Sequence, residues 1–98
     1  MDIEASNLRK IEKNTLRGFV DIALPSLGLL IRDCTWHTKG DKEWMSWPGK
    51  PVIDRDTGKH RVDTATGKPQ YANVVEFISR EAADKFQAAA LAAIRALA

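Results

Sequence analysis

LRGFVDIAL, residues 16–24, is the stretch of sequence that decides the fold. In an extended chain one face of this stretch carries Leu16, Val20, Ile22 and Leu24. The opposite face carries Arg17, Phe19, Asp21 and Ala23. An alternation with a period of two residues is typical of a β-strand with one buried face. The stretch is therefore predicted to be a strand whose aliphatic face lies against the core.

The segments on either side of this strand predict an antiparallel meander. Pro25 to Gly28 has the composition of a turn, and Leu29 to His37 then resumes an extended pattern, so the two segments predict a hairpin. A second turn at 38–41 leads into a short third strand, Glu43 to Pro48, which ends there because proline cannot donate to a strand ladder. The N-terminal residues Ile3 to Ile11 are a weaker strand candidate.

Residues 49–70 form an insertion that is rich in Pro, Gly, Asp, Thr and Lys. It contains two similar tetrapeptides, DTGK at 56–59 and ATGK at 65–68. The composition predicts either a long loop or a small hairpin, and a structureless loop above about 12–15 residues in a compact domain is usually functional or mobile. Because its basic and acidic side chains are interspersed, a solvated loop of mixed charge and a basic loop that wraps a nucleic-acid backbone are both open.

The chain ends in a predicted strand and a predicted helix. The strand is Tyr71 to Ile78, and Ser79 is expected to cap the helix that follows, with Glu81 in its first turn. The second half of this helix is apolar almost all round, so a second copy of the chain is expected to cover it; the alternative is a terminal helix that leaves its alanines exposed. The residues expected at this dimer contact are Phe86, Ala90, Leu91, Ile94 and Leu97.

Length and composition fit one small domain. The 98 residues are too few to divide one core in two, and 44% hydrophobic with 29% charged residues is ordinary globular usage. We expect residues 1–98 to form a single α+β domain, with a four- to five-stranded antiparallel meander, a long C-terminal helix and the insertion at about 49–70. The chain is expected to act as a dimer.

A cytoplasmic location is expected. The longest apolar stretch, Ala23 to Ile31, is far shorter than the roughly 20 residues that span a bilayer, so no membrane partner is predicted. The first four residues are acidic where an export signal would be basic and then apolar. The single cysteine, Cys34, cannot form an internal disulfide, which is usual in a reducing compartment.

The turn suggests a register for the first hairpin in which Leu24 lies opposite Leu29. The same register then sets Asp21 against Arg32, Phe19 against Cys34 and Arg17 against Trp36. One sheet face would then be basic and aromatic, with the residues Arg17, Phe19, Arg32, Trp36 and Trp47. Such a face suits nucleic acid, because bases stack on aromatic rings and arginines neutralise phosphates. Alternatively the face packs against a dimer mate, and a slip of one residue would exchange the two faces.

No pattern of catalytic or metal-binding residues is present in the sequence. The segment from Asp54 to Gly58 resembles the start of a calcium loop, but its glycine falls one place early and Ala65 stands where the bidentate glutamate belongs. The two Thr-Gly-Lys sequences lack the remainder of a phosphate loop. His37 and His60 are interpreted as ordinary strand-end and loop residues. We therefore expect no enzyme activity, no cofactor and no metal.

Four blocks of sequence resemble the stage V sporulation protein G family, also called septation regulators. The blocks, in chain order, are GFVDI at 18–22, IRDC at 31–34, WMSWPGKP at 44–51 and the stretch from Phe77 to Ala88. The resemblance covers nearly the whole chain and depends on the order and spacing of the blocks. It implies a small dimeric protein with an antiparallel sheet and a C-terminal helix, which binds DNA, and in some members RNA, as a regulator without catalysis.

The resemblance also implies particular contact residues. Pro48 and Lys50 match the proline and basic residue of the family's loop after the third strand, and Lys85 matches a basic residue early in the helix. The sequence departs from the family at Ala83, where an arginine often stands, and in the insertion from Pro51 to Gln70. The layout is also similar to that of single-stranded-DNA-binding coactivators related to positive cofactor four, which keeps single strands open as the ligand.

The predicted function is that of a homodimeric nucleic-acid-binding regulator, with DNA, single- or double-stranded, or RNA as its partner. The residues expected to bind nucleic acid are Arg17, Arg32, Trp36, Trp47, Lys50, Arg55, Lys59, Arg61 and Lys85. In the alternative, the chain is a protein-interaction adaptor, since tryptophans are common in binding hot spots. Its interface would be a tryptophan-rich face with Trp36, Trp44 and Trp47.

Overall fold

The structure, a computed structural model, describes residues 2–98. Met1, which opens both the predicted domain and the acidic N-terminal segment, lies outside the described residues. Four strands form one antiparallel sheet in chain order, and they are β1 (Glu4–Lys13), β2 (Leu16–Leu24), β3 (Leu29–Lys39) and β4 (Lys42–Ser46). A C-terminal helix, α1 (Arg80–Leu97), packs on one face of the sheet. The predicted α+β class, with an antiparallel meander and a C-terminal helix, is confirmed.

The core lies between this helix and the sheet. Its buried residues are Val20, Ile22, Cys34, Met45, Phe86, Ala90, Leu91 and Ile94. Val20 and Ile22 belong to the aliphatic face predicted for β2. Phe86, Ala90 and Ile94 are spaced three or four residues apart along α1, so they lie on one face of the helix. Burial of a large aliphatic side chain stabilises the fold by roughly 1.5–3 kcal/mol.

The predicted register is correct at the turn of the first hairpin and wrong beyond it. Ile22 lies opposite Ile31, but Val20 lies opposite Cys34, so Arg32 and Asp33 together face Asp21. This is a β-bulge, in which two residues on one strand oppose one on its neighbour. It moves the remainder of β3 by one residue, so the predicted pairs of Phe19 with Cys34 and of Arg17 with Trp36 do not form.

The bulge has a local cause in the side chain of Asp21. The backbone N–H of Asp33 donates to Asp21 Oδ1 at 3.1 Å, and Asp33 has a φ of +61°. Aspartate visits this left-handed region more readily than most residues, because its short polar side chain bonds locally. As a result Cys34 lies in the core and Trp36 packs against it, instead of both lying on the outer face as predicted.

The insertion contains a second, smaller sheet. Strand β5 (Gly49–Pro51) pairs antiparallel with β6 (Tyr71–Asn73), and the chain between them forms two further turns. We call residues 52–70 the arm. Of the alternatives left open for the insertion, the hairpin is therefore the one observed.

The strand predicted for Tyr71 to Ile78 stops after three residues. Asn73 pairs with Gly49, so the next partner would be Pro48, which has no N–H to donate. The following residues leave the ladder, and Phe77 instead packs its ring on Phe86 at 5.4 Å between centroids.

Helix α1 begins as the sequence predicts. The N–H of Ala82 donates to Ser79 Oγ at 3.1 Å, and Glu81 lies in the first turn. Four of the five residues predicted for the dimer contact, all except Leu97, are buried against the chain's own sheet, while Leu97 is 46% exposed. Within residues 2–98 no helix is both long and apolar enough to cross a membrane.

Candidate nucleic-acid interface

The sheet face opposite α1, here called the open face, carries three aromatic side chains. Phe19 follows Arg17 and Gly18 in β2 and precedes the core residue Val20, so strand alternation points it away from the helix. His37 lies opposite Trp44, and Trp44 precedes the buried Met45. Because cross-strand partners share a face, His37 and Trp44 lie on the open face with Phe19. We call these three residues the aromatic row; each is half-buried.

The rings of His37 and Trp44 form a stacked pair. Their centroids are 5.2 Å apart and their planes differ by 5°. The imidazole is fixed by two threonine hydroxyls, since its Nδ1 lies 3.0 Å from Thr15 Oγ1 and its Nε2 lies 2.9 Å from Thr35 Oγ1. Desolvation by burial lowers the pKa of His37 from its ordinary value, which favours the neutral ring. A neutral, oriented pair of rings offers a flat surface on which a base can stack.

The arginine beside the aromatic row is already engaged in ion pairs. The guanidinium carbon of Arg9 lies 5.9 Å from the centre of the Phe19 ring. One of its nitrogens also lies 3.3 Å from Asp21 Oδ1 and 2.9 Å from Asp33 Oδ1. Lys13 is in register with Leu16, which is itself opposite His37, so a second cation lies at the end of the row. The open face therefore offers more stacking surface than free positive charge.

Trp36 and Trp47 are predicted to lie on the same sheet face as Phe19, but neither lies on the open face. Trp36 is in register with the buried Met45 and packs against the core, and its Nε1 donates to Glu43 at 3.1 Å. Trp47 packs on Phe86 with 4.8 Å between the ring centroids. Both indoles are therefore on the helix side of the sheet. The three tryptophans do not share one face, which removes the tryptophan-rich face on which the adaptor alternative depended.

The predicted arginines of the sheet occupy the two bulges of the β2–β3 pair. Arg17 lies where the register shifts between Leu16 and Gly18, and its Nε donates to the hydroxyl of Thr38. Arg32 is exposed beside Asp33 in the other bulge, where its charge helps to lower the pKa of Asp21. Neither arginine is in register with a residue of the aromatic row.

The remaining predicted cations fall into two separate places. Lys85 is exposed on α1, where it forms an ion pair with Glu81 at 3.2 Å. Because α1 lies on the other face of the sheet, the sheet separates Lys85 from the aromatic row. Lys50 lies in β5, and the other three predicted cations lie on the arm. All four are exposed, and they are Lys50, Arg55, Lys59 and Arg61.

The residues predicted to bind nucleic acid do not include His37 or Trp44, and Trp44 is named only in the tryptophan-rich face of the adaptor alternative. The sequence does contain a signal for Trp44. Trp44 is adjacent to Met45, which lies in the core, so strand alternation places Trp44 on the opposite face. The assignment also required the face on which His37 lies, and that face depends on the bulge in the β2–β3 pair. Arg9 was missed because the strand that carries it was a weak candidate.

Comparisons with known proteins identify no relative of this chain. A scan of protein-family models, a search of curated proteins and a search of solved structures each returned no match. Among residues 2–98, no three His, Cys, Asp or Glu side chains come together as ligands of a metal ion would.

Proposed function

We propose that this protein is a nucleic-acid-binding regulator without catalytic activity, which binds single-stranded DNA or RNA on its open face. The observation that supports this proposal is the aromatic row of Phe19, His37 and Trp44. Stacking of a base on an aromatic side chain contributes roughly 1–3 kcal/mol, and it tolerates any base sequence. The resemblance to septation regulators supports the same function.

Single strands fit the open face better than a duplex does. In a duplex the bases are stacked on one another, and their faces are covered. In a single strand they can splay out and stack on protein rings. We therefore expect a single-stranded oligonucleotide to bind more tightly than the duplex of the same sequence.

We also propose that the regulator is a homodimer. An apolar groove of about 440 Å³ opens between the tip of the β2–β3 hairpin and the start of α1, and it is lined in part by Leu27, Leu29, Val75 and Phe77. Leu27 is 73% exposed at the rim of this groove. Exposed apolar patches of this kind mark interaction sites, and a second copy of the chain is the commonest cover.

A binding titration tests the function. Fluorescence anisotropy of labelled single-stranded DNA, duplex DNA and RNA is measured at about 50 mM and about 200 mM salt, a range over which phosphate contacts weaken. We expect salt-sensitive binding, strongest for a single strand. Absence of binding to all three ligands would overturn the proposal and direct the search to a protein partner.

Variants of the aromatic row test where the ligand binds. Trp44→Leu and Phe19→Leu should each weaken single-strand binding by about 5- to 150-fold, which corresponds to the loss of one stacking contact. Lys10→Ala is the matched control, because Lys10 is exposed in β1 and in register with Gly18, which is itself opposite Trp36 on the helix side. If the control weakens binding as much as Trp44→Leu, the open face is not the site.

Tryptophan fluorescence gives an independent readout of the same contact. Added oligonucleotide should quench the wild-type protein, since a base stacked on Trp44 quenches its indole. The quenching should vanish in Trp44→Phe and persist in Trp36→Phe, because Trp36 packs against the core. Quenching that persists in Trp44→Phe would contradict the proposed position of the base.

A further inference from the structure

The net positive charge of the chain resides in the insertion. Residues 49–70 contain five of the fifteen Lys and Arg residues and three of the thirteen Asp and Glu residues. The remaining 76 residues therefore carry ten charges of each sign and are neutral overall. A polyanion that approaches this protein meets its excess positive charge on the insertion and not on the sheet.

The arm contains two turns that share one sequence pattern and one set of hydrogen bonds. Residues 54–59 and 63–68 share the pattern Asp-x-x-Thr-Gly-Lys, at a spacing of nine residues. In the first copy the N–H of Asp54 donates to the carbonyl of Lys59, and the N–H of Gly58 donates to the carbonyl of Asp54, both at 2.8 Å. In the second copy Asp63, Gly67 and Lys68 make the same two bonds, at 2.8 and 2.7 Å.

Side chains of the shared pattern also repeat their hydrogen bonds. In each copy the aspartate accepts from the backbone N–H two residues later, at 2.9 Å in the first copy and 2.8 Å in the second. In each copy the lysine N–H lies 3.3 Å from the threonine hydroxyl oxygen that accepts its bond. The turns hold the backbones of Lys59 and Lys68 in the same way, and both side chains are exposed.

The acidic and basic side chains of the arm have different roles. Two of its three carboxylates, those of Asp54 and Asp63, accept hydrogen bonds from the turn backbone. Within residues 2–98 no ion pair joins any of the five cations of the insertion to a carboxylate. The carboxylates of Asp54 and Asp63 are thus engaged within the turns, while the cations are free to contact an external partner. Arg9, the arginine beside the aromatic row, is in contrast engaged by two aspartates.

We propose that the arm is a separate binding element for the nucleic-acid backbone, in which the two equivalent turns each contribute one lysine, Lys59 and Lys68, to a phosphate. Arg55 of the first turn and Arg61, which lies between the two turns, add to the same positive surface. This inference extends the proposed function, since it assigns phosphate contacts to the arm and base stacking to the open face. Lys68, which lies in the second of the two similar tetrapeptides, is thereby added to the predicted contact residues.

Removal of the arm tests the inference directly. Residues 53–69 are replaced by Asn-Gly, a pair that favours a tight hairpin turn, so that Val52 and Gln70 extend the β5–β6 ladder through the bond they already make. The replaced segment contains no core residue, so the shortened protein should unfold at the same urea concentration as the intact one. Binding is measured with labelled oligothymidylate and with a mixed-sequence single strand over a series of salt concentrations.

The shortened protein should bind both oligonucleotides more weakly and with less dependence on salt. Each phosphate contact on a single strand contributes about 0.7 to the slope of log affinity against log salt, so loss of two lysines lowers this slope by about 1.4 or more. Quenching of Trp44 at saturating oligonucleotide should be unchanged, because the aromatic row is intact. The loss should be equal for the two sequences, since backbone contacts carry no sequence information.

Point variants test the equivalence of the two turns. Lys59→Ala and Lys68→Ala should each lower affinity roughly fivefold to tenfold at about 50 mM salt, which is the counterion contribution of one contact. Lys10→Ala, which removes the same charge from β1, should change affinity by less than about twofold, because it lies outside both surfaces. An effect confined to Lys59 would overturn the equivalence of the turns.

The outcomes separate this inference from the proposed function. If the intact protein binds and the shortened protein binds equally well with the same salt slope, the arm is not a binding element, while the open-face site stands. If the intact protein binds no oligonucleotide at low salt, both proposals are overturned. Weaker binding with a lower slope and unchanged quenching supports the arm.

Discussion

At the scale of single residues, the side chain of Asp21 determines which groups lie on each face of β3. Asp21 is 5% exposed, and its carboxylate accepts from the Asp33 N–H, from the Asn7 amide at 3.2 Å and from Arg9 at 3.3 Å. Asn7 and Asp33, which flank it on the neighbouring strands, both have positive φ. A buried carboxylate needs such donors, because an unsatisfied one is costly. The backbones of both neighbouring strands thus deviate around one acidic group.

We expect Asp21→Asn to lower the free energy of unfolding by about 1–3 kcal/mol at pH 7, because the amide cannot make the charge-assisted bond to Arg9. The N–H of Asp33, with smaller contributions from Asn7 and Arg9, holds the pKa of Asp21 below its ordinary value. Stabilisation from this group is therefore complete above about pH 4 and is lost as the pH falls through the folded-state pKa.

The measurement is urea unfolding of wild type and Asp21→Asn between pH 2 and pH 7, where the variant should lose less stability on acidification. Asp41→Asn, in an exposed turn, is the control and should resemble wild type. Equal acid sensitivity in wild type and Asp21→Asn would contradict the role assigned to this carboxylate.

Cys34 is predicted to be unreactive in the folded protein. Desolvation by burial, with the charges of Asp21 and Asp33, raises the pKa of its thiol to about 12, and the side chain is fully buried. The thiolate is the reactive form, so iodoacetamide at pH 8 should modify Cys34 only as the protein unfolds. A second thiol introduced by Asp41→Cys reports the reactivity of an exposed site in the same chain. Equal labelling of both sites in the folded protein would contradict the prediction.

At the scale of elements, the close approach of β1 to β2 depends on a glycine. A Cβ added at Gly18 would lie 2.9 Å from the carbonyl oxygen of Arg9 and 3.2 Å from a methyl carbon of Leu8. The first of these atoms belongs to the backbone of β1, so the strand itself must move to accommodate a methyl group. The small residue in the LRGFVDIAL stretch thus permits β1 to join the sheet.

Gly18→Ala is expected to destabilise the protein by about 1–3 kcal/mol, the usual range for overpacking in a well-packed region. Gly49→Ala is the matched control, since a Cβ there meets its nearest atoms at 3.4 Å and Gly49 is exposed in β5. Urea unfolding followed by circular dichroism compares the two variants. Identical unfolding midpoints for both variants would show that β1 can move without cost.

At the scale of the whole molecule, the sheet covers the apolar face of α1, and the exposed apolar surface lies elsewhere. Most residues of the expected dimer contact along α1 are buried within one chain, because Phe86, Leu91 and Ile94 pack on the sheet. The exposed apolar residues include Leu27 beside the groove and Ile78, which is 102% exposed. Both lie at the end of the molecule where the β2–β3 hairpin meets the start of α1.

Sedimentation velocity decides between the groove and the helix end as the dimer contact. We expect the wild-type protein to sediment as a dimer, Leu27→Lys to sediment as a monomer and Leu97→Lys to remain dimeric. Each change places a charge on a residue that is already exposed, so the fold should be retained. If Leu97→Lys alone dissociates the dimer, the contact lies at the helix; a monomeric wild type would overturn the proposed dimer.

The candidate site illustrates how far local patterns predict function. Phe19 was predicted on the face that it occupies, since its neighbour Val20 is aliphatic and strand alternation needs no further information. Trp36 was predicted on the same face and lies on the other. The difference is one bulge, and a bulge follows from the hydrogen bonds of Asp21 with a neighbouring strand, which a single strand's pattern does not contain.

The sequence by itself determined most of the main sheet and the start of the helix. Alternation specified β2 and β3, Ser79 and Glu81 specified the start of α1, and proline limited β4, because these signals act over a few residues. Tertiary structure alone decided which side chains of β3 share a face and where the strand predicted from Tyr71 ends. These features depend on contacts between residues that are distant in sequence, and one bulge reverses the facing of every residue beyond it.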